Sequence, residues 1–291
     1  MLPVAVISGK RPKYLRECLL ALRANSVDPS LVYLFQEGEI NKYSERRFAP
    51  PDVIEACIST FKEIFPEGHL ITYPYHVGVA FTHLYAKNHL FDVRGWREAI
   101  FLEDDFVPAP SCISVIREML RQAPPWAGFL SPGVDTQGTP GKENLARTKP
   151  FHNWCFGLRS YTWKAMRPFI DEYLLLVECD YKLRPHKRIR DWHASHGSLI
   201  TVSSQDGAND LAQALSGYIP LQLCGPRGTY IGKVGEHMTP EMWRQKQYSS
   251  ITPLSHPASH APAIEWPAYE DAATSFRKYI GVFHARPLEE E

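Results

Sequence analysis

Two periodicities take turns along the first half of the chain. Short apolar runs at Pro3–Ile7, Leu31–Phe35, Leu70–Tyr73 and Ala99–Leu102 predict buried strands. Between them, apolar residues recur at helical spacing. Leu15, Cys18, Leu19 and Leu22 predict a helix reaching about Ala24, with Pro12 in its first turn. Val53, Ile54, Cys57, Ile58 and Phe61 predict a second helix, and Asp52 and Glu55 stand at the spacing of a capping box. Phe81 to about Phe91 predicts a third. This alternation predicts an α/β fold: a doubly wound, mixed but mostly parallel sheet flanked by helices, with right-handed crossovers.

Beyond residue 110 the pattern is less regular. Ser111 to about Gln122 predicts a helix with Ile113, Ile116, Met119 and Leu120 inward. Gly133–Lys149 is polar and Gly-rich and reads as an exposed loop. A helix is expected from Ser160 through Trp163 and Met166, and a closing helix from Tyr269 to about Tyr279. Ser249–Pro267 reads as an extended strap, with His256 and His260 at no metal-like spacing.

The predicted strands share one feature. Each is followed by a polar loop: Ser8–Arg11, Gln36–Glu39, His76–Gly78 and Glu103–Asp105. In a parallel sheet such loops lie along one edge, beyond the carboxyl ends of the strands, where ligands bind. Glu103, Asp104 and Asp105 are consecutive carboxylates that repel one another unless a cation, raised pKa values or solvent relieves them. Oxygen-only ligands favour Mg²⁺ or Mn²⁺ over zinc. The cluster therefore reads as a divalent-metal site gripping a nucleotide's phosphates, or as an acidic loop facing water.

Composition narrows the partners. The 291 residues are 44% hydrophobic and 22% charged, ordinary for a globular protein, and the formal net charge is zero. There is no basic footprint for nucleic acid and no apolar run of membrane-spanning length. The six cysteines are scattered with no CxxC pair, which favours a reduced chain.

At this point four ordered landmarks carry a resemblance. They are Pro3–Ile7 with Arg11 and Leu15-Arg16-Glu17-Cys18-Leu19; Gln36-Glu37-Gly38; Leu102-Glu103-Asp104-Asp105-Phe106-Val107-Pro108-Ala109-Pro110; and Trp154-Cys155-Phe156-Gly157-Leu158 through Trp163, followed by Cys179-Asp180-Tyr181-Lys182-Leu183-Arg184. Together, over roughly Pro3 to Arg184, they resemble the N-acetylglucosaminyltransferase I family, which includes protein O-mannose N-acetylglucosaminyltransferase. The third matches that family's E-D-D-L-E-V-A-P-D, and the fourth its W-D-D-W-M-R.

The resemblance implies a GT-A fold and metal-dependent, inverting transfer of N-acetylglucosamine from UDP to a hydroxyl of a glycan or other acceptor. It implies one domain over 1–248, with a donor half to about 110 and an acceptor half beyond, then a strap and helix over 249–291. Asp105 would bind Mn²⁺ (or Mg²⁺) directly, Glu103 and Asp104 would contact the donor's sugar and ribose, Glu37 would read uracil, and Arg11 would hold the nucleotide. Asp180 falls on the catalytic base, with Glu178 the rival carboxylate. His237 stands near the point where many GT-A families place a second metal ligand; a solvent-facing or capping histidine is the alternative.

Ser203–Asn209 reads as a contact loop or a plain turn. Lys182, Arg184, Lys187, Arg188 and Arg190 form a solvated basic face or meet a diphosphate or anionic acceptor. Members of the family carry an N-terminal Golgi anchor, whereas Met1 here runs straight into the first strand, so the expectation is a cytoplasmic enzyme of bacterial or viral type. Two other functions fit an acid-tipped sheet: a nucleotidyltransferase acting on a sugar phosphate, for which Ser8-Gly9-Lys10-Arg11 is a partial phosphate loop, and a non-catalytic carbohydrate-binding module.

Overall fold

The computed structural model describes residues 1–133, 141–149, 154–235, 238–254 and 263–285. The first third is the predicted alternation: β1 (Val4–Ser8), α1 (Pro12–Ala24), β2 (Val32–Gln36), α2 (Pro51–Ile64), β3 (His69–Thr72), α3 (Val79–Asn88) and β4 (Glu98–Glu103). Then come β5 (Phe106–Pro108), α4 (Cys112–Gln122), β6 (Ala127–Ser131), β7 (Ala146–Thr148), β8 (Cys155–Arg159) and α5 (Ser160–Leu176). The chain continues through α6 (His186–Ser195), α7 (Gln205–Leu215), β9 (Ile219–Leu223), β10 (Gly228–Tyr230), α8 (Pro240–Gln245) and α9 (Tyr269–Ile280).

Eight strands form one sheet in the order β3-β2-β1-β4-β8-β6-β9-β7. Strands β1 to β4 pair in parallel, with Ile7 opposite both Phe35 and Glu103. Strand β8 runs antiparallel to β4 and β6, and β6 pairs in parallel with β9. The fold is α/β, with a mixed, mostly parallel sheet flanked by helices.

Alternation along each strand feeds two cores. Val4, Val6, Val32, Leu34, Ile100 and Leu102 point to one face, where α1, α2 and α4 supply Leu15, Phe61 and Ile116. Ala5, Ile7, Tyr33, Phe35, Ala99 and Phe101 point to the other, against Phe81 of α3 and Trp163 of α5. Each large apolar side chain so buried contributes about 1.5–3 kcal/mol. Gly157 lets α4 close on the sheet, since a Cβ there would stand 2.7 Å from Ile116 Cγ2. Helix α9 joins the first core through Phe276 and Ile280.

Several local expectations change. The capping box does not form: α2 begins at Pro51 with no side-chain cap, and Glu55 accepts from Ser59 Oγ instead. The third helix ends at Asn88, and His89–Val93 is a π-helical turn. Within the expected loop at 133–149, Ala146–Thr148 is an edge strand antiparallel to β9; residues 134–140 lie outside the described part. Ser203–Asn209 is neither a contact loop alone nor a plain turn, because Ser204 caps α7 by accepting from Gly207 N. The six cysteines are free thiols, four of them buried. No helix among the described residues is long and apolar enough to cross a membrane.

Candidate active site

The carboxyl ends of β1, β2 and β4 open into a cavity of about 850 Å³, within the size range of small-molecule sites. Arg11, Glu37, Glu103, Asp104, Asp105 and Asp180 all line it. Glu178, the rival base, is exposed and outside it. His237 lies outside the described residues.

The three acids sit where β4 ends beside β1. The Asp104 N–H donates to Ile7 O at 3.1 Å and the Glu103 N–H to Trp154 O at 2.9 Å, so the sheet ladder itself fixes their backbone. Asp104 and Asp105 are almost fully buried. The Arg11 guanidinium bridges them: Nη2 pairs with Asp104 Oδ1, and Nη1 lies 2.5 Å from Asp105 Oδ2. Gly9 N also donates to Asp104 Oδ2 at 3.2 Å. Burial opposes the Arg11 charge, but Asp104 and Asp105 outweigh it and raise its pKa. Arg11 thus lines the cavity with its guanidinium turned against the acids, and its nearest task is to offset their repulsion.

One guanidinium does not neutralise three carboxylates. Burial, against the opposing pull of Arg11, pushes Asp105 up to about 6. Burial, then the charges of Asp105 and Asp206, hold Glu103 well above the usual carboxylate range. Asp105 Oδ1 is buried without a hydrogen-bond partner. Behind Glu103, His83 Nε2 lies 3.3 Å from its Oε1; burial and Lys87 keep that imidazole neutral. Lys87 is itself buried over the rings of Trp163 and Phe129, at 4.9 and 5.3 Å. Burial lowers its pKa to about 7.

The strand pair β5–β10 brings Tyr230 over the acids. Ile231 N donates to Asp105 O at 2.8 Å, and the next residue must be glycine: a Cβ at Gly232 would lie 2.3 Å from Asp105 Oδ2. Tyr230 stacks on Trp154 with centroids 4.1 Å apart, and Tyr248 meets both rings edge-on. These aromatics form one wall of the cavity. Sequence reasoning singled out Trp154 alone; the other two come from a segment with no apolar periodicity.

Glu37 has a different place from the one its position implied. Its carboxylate is buried and accepts from Val77 N at 2.8 Å, Gly78 N at 3.3 Å and Thr82 Oγ1, with His76 Nδ1 at 2.6 Å. With about four lone-pair sites on a carboxylate, this inventory has Glu37 tying the β3–α3 loop to β2 at the edge of the cavity. The surface beside it is aromatic: Phe48 stacks on His76 at 3.6 Å between near-parallel planes, and Lys10 Nζ stands 4.2 Å over Phe48.

Asp180 is likewise engaged. It caps a single 3-10 turn by accepting from Lys182 N at 3.0 Å, and it accepts from Ser44 Oγ at 2.5 Å. Those bonds, with Arg46 and Lys182 nearby, lower its pKa, so it is a weaker base than a solvated aspartate. Asp206, which sequence reasoning did not single out, lies in the first turn of α7, lines the cavity and raises the pKa of Glu103. The available signal was Ser204 standing as an N-cap before Ala208, Leu211 and Leu215.

The donor set is hard oxygen. Among the described residues no three His, Cys, Asp or Glu side chains are grouped to hold a metal by themselves. An unpartnered, buried Asp105 Oδ1 fits a cation whose other ligands come from a substrate's phosphates and water, the usual mode for Mg²⁺.

No protein-family model matches the chain, and no curated protein does. Solved structures with a related backbone include a mannosyltransferase, PcManGT, from Pyrobaculum calidifontis in complex with GDP-Man and Mn²⁺, at 13% identity and a TM-score of 0.45. Others are S. aureus TarS, at 8% identity and 0.42, and a mannose-1-phosphate geranyltransferase from Thermus thermophilus, at 12% identity and 0.38. The matches cover 84%, 73% and 60% of this chain, and 60%, 42% and 63% of those proteins.

Proposed function

We propose that this chain is a metal-dependent GT-A glycosyltransferase. It moves a sugar from a nucleoside-diphosphate sugar, UDP-linked on the resemblance above, to a hydroxyl of a carbohydrate or glycoconjugate, with inversion. The carrying observation is the end of β4: buried carboxylates, a bridging Arg11 and an unpartnered Asp105 Oδ1 at the mouth of a parallel sheet. The donor half is residues 1 to about 110, and the acceptor half follows.

In this reading Asp105 would hold Mn²⁺ or Mg²⁺, with His237 the second protein ligand considered. The cation would supply Lewis-acid neutralisation of the departing diphosphate. Arg11 then has a second position available, since a cation beside Asp105 competes for the same oxygens, and its guanidinium can turn to the phosphates. Glu103 and Asp104 face the sugar and ribose. The Trp154–Tyr230–Tyr248 wall covers the apolar face of the sugar and excludes water. A carboxylate on the opposite side takes the acceptor proton. Asp180 and Asp206 both line the cavity, and because bonding lowers the basicity of Asp180, this reading gives the task to Asp206.

The test is a panel of UDP-, GDP- and dTDP-sugars in thermal-shift titration with and without Mn²⁺, followed by nucleotide release. Release of a nucleoside diphosphate supports the reading. Pyrophosphate from a nucleoside triphosphate would assign a nucleotidyltransferase, and no Mn²⁺-dependent nucleotide binding at all would end the proposal.

A further inference from the structure

The basic segment Lys182–Arg190 divides in the fold. Lys187, Arg188 and Arg190 lie on α6 away from the cavity, with Lys187 paired to Asp191 at 2.7 Å. Lys182 and Arg184 line the cavity. Arg46 and Arg47, from the loop between β2 and α2, and Lys246, just past α8, line it too. Five cations from three separate stretches therefore meet at one mouth, in a chain whose net charge is zero.

This mouth is built, not merely basic. Arg184 is fixed by donating to Ser203 O at 3.0 Å and by lying 4.4 Å over the Tyr181 ring. The loop bearing Arg46 and Arg47 is folded by Asn41, whose Oδ1 accepts from Tyr43 N and Ser44 N. It is then clamped to the 181–183 turn by Ser44 and Asp180. Arg46, Arg47, Lys182 and Lys246 make no ion pair with a described residue. Of the carboxylates lining the cavity, Asp180 is the one acted on by Arg46 and Lys182; Glu37 is bound by the Val77 and Gly78 amides, and Glu103, Asp104, Asp105 and Asp206 lie with the strand ends and the first turn of α7. Convergent cations in a concave low-dielectric site select anions.

We infer that the acceptor bears a fixed negative charge, a phosphate or carboxylate, which Arg46, Arg47, Lys182, Arg184 and Lys246 hold at the mouth while its hydroxyl points to the strand ends. This rests on the transferase reading: Arg11 and a cation at Asp105 already provide for the donor's diphosphate, so the rim charge serves the other substrate. The planar fork of an arginine can grip two oxygens of either anion.

The experiment uses the full chain and three probes: glucose 6-phosphate, glucuronic acid and glucose. Calorimetry at low and high salt should show glucose 6-phosphate binding at least ten-fold tighter than glucose, with the gap narrowing as salt rises. The position of glucuronic acid between them tells phosphate from carboxylate preference. The double variant R46E/K182E, both exposed positions, should lose at least ten-fold in affinity for glucose 6-phosphate, and K246E should lose several-fold, with melting temperatures checked alongside. Equal binding of the charged and neutral probes overturns the inference. So does charged-probe binding that the variants leave intact, or that UDP with Mn²⁺ displaces, since the anion would then sit on the donor side. If no nucleotide sugar binds while the probes behave as expected, the transferase reading falls and the anion-binding mouth stands.

Discussion

Replacing Asp105 by Asn tests the site at its centre. In the folded chain burial raises the Asp105 pKa from 3.8 to about 6 despite the adjacent guanidinium. A raised folded-state pKa means the folded state holds the proton more tightly than the unfolded one. The sign follows: the favourable contribution is fully present below about pH 4 and is lost as pH rises through about 6. A two-unit shift corresponds to about 3 kcal/mol, undiscounted because the side chain is 3% exposed. Glu103 is shifted in the same direction by burial and its acidic neighbours, so it adds to the slope in both proteins.

The assay is thermal unfolding from about pH 4 to about pH 8 in chelator, repeated with Mn²⁺. The native chain without cation should lose melting temperature across the window, and Asp105→Asn should lose less. At neutral pH the variant should melt higher by roughly 6 °C, at about 2 °C per kcal/mol for a chain of this size. Mn²⁺ should reverse the order, stabilising the native chain and leaving the variant unmoved. Parallel pH profiles, or an equal Mn²⁺ response in the variant, would refute both the buried-carboxylate argument and the role of Asp105 as the cation's ligand.

Gly232→Ala should cost about 1–3 kcal/mol in urea unfolding and disturb Asp105, because its Cβ would meet Asp105 Oδ2 at 2.3 Å; Gly235→Ala, whose Cβ meets Arg11 Nη1 alone among the described residues, at 3.5 Å, is the neutral control. Burial lowers the Lys87 pKa from 10.5 to about 7, so stability should be fully present near pH 10 and fall as pH drops through about 7. Lys87→Met should flatten that slope, worth up to about 5 kcal/mol, in urea midpoints taken at both ends. Asp206→Asn should retain nucleotide binding and lower kcat by about 10²–10⁴-fold, whereas Asp180→Asn should change the acceptor KM more than kcat; the reverse result returns the base role to Asp180. Glu37→Gln should destabilise the chain by about 1–3 kcal/mol without changing which nucleotide binds best, measured by thermal shift across the donor panel.

The parallel half of the fold was legible because both of its signals are local. Strands buried on two faces must be apolar along their middles, and β1, β2 and β4 are, with polar residues only at their ends; helices covering one face must show helical spacing, and α1 and α4 do. The second half hides its elements. Strand β8 is apolar, but Gly157 and the antiparallel pairing to β4 follow from tertiary contact with α4, not from periodicity. Helix α6 reads as a charge run because it buries few residues, Ile189 and His193 among them. Strand β7 is three residues long and exists because β9 offers it an edge.

The site shows a sharper version of the same limit. Sequence position told which carboxylates would gather at the strand ends, since topology alone puts loop after loop on one edge. It could not tell how each of them would be engaged there. Glu37 and Asp180 were singled out by alignment with a motif, yet each is engaged by the loop it touches: Glu37 by the amides of Val77 and Gly78, Asp180 by Ser44 and the Lys182 amide. A carboxylate whose lone pairs are filled by backbone donors stabilises a loop and is slow to do anything else. What marks Asp105 out from them is the opposite condition, a buried oxygen beside a single guanidinium with one lone-pair side still unmet. In the proposed reading, chemistry at this cleft therefore concentrates at β4, and the loops that Glu37 and Asp180 hold in place would determine what is brought to it.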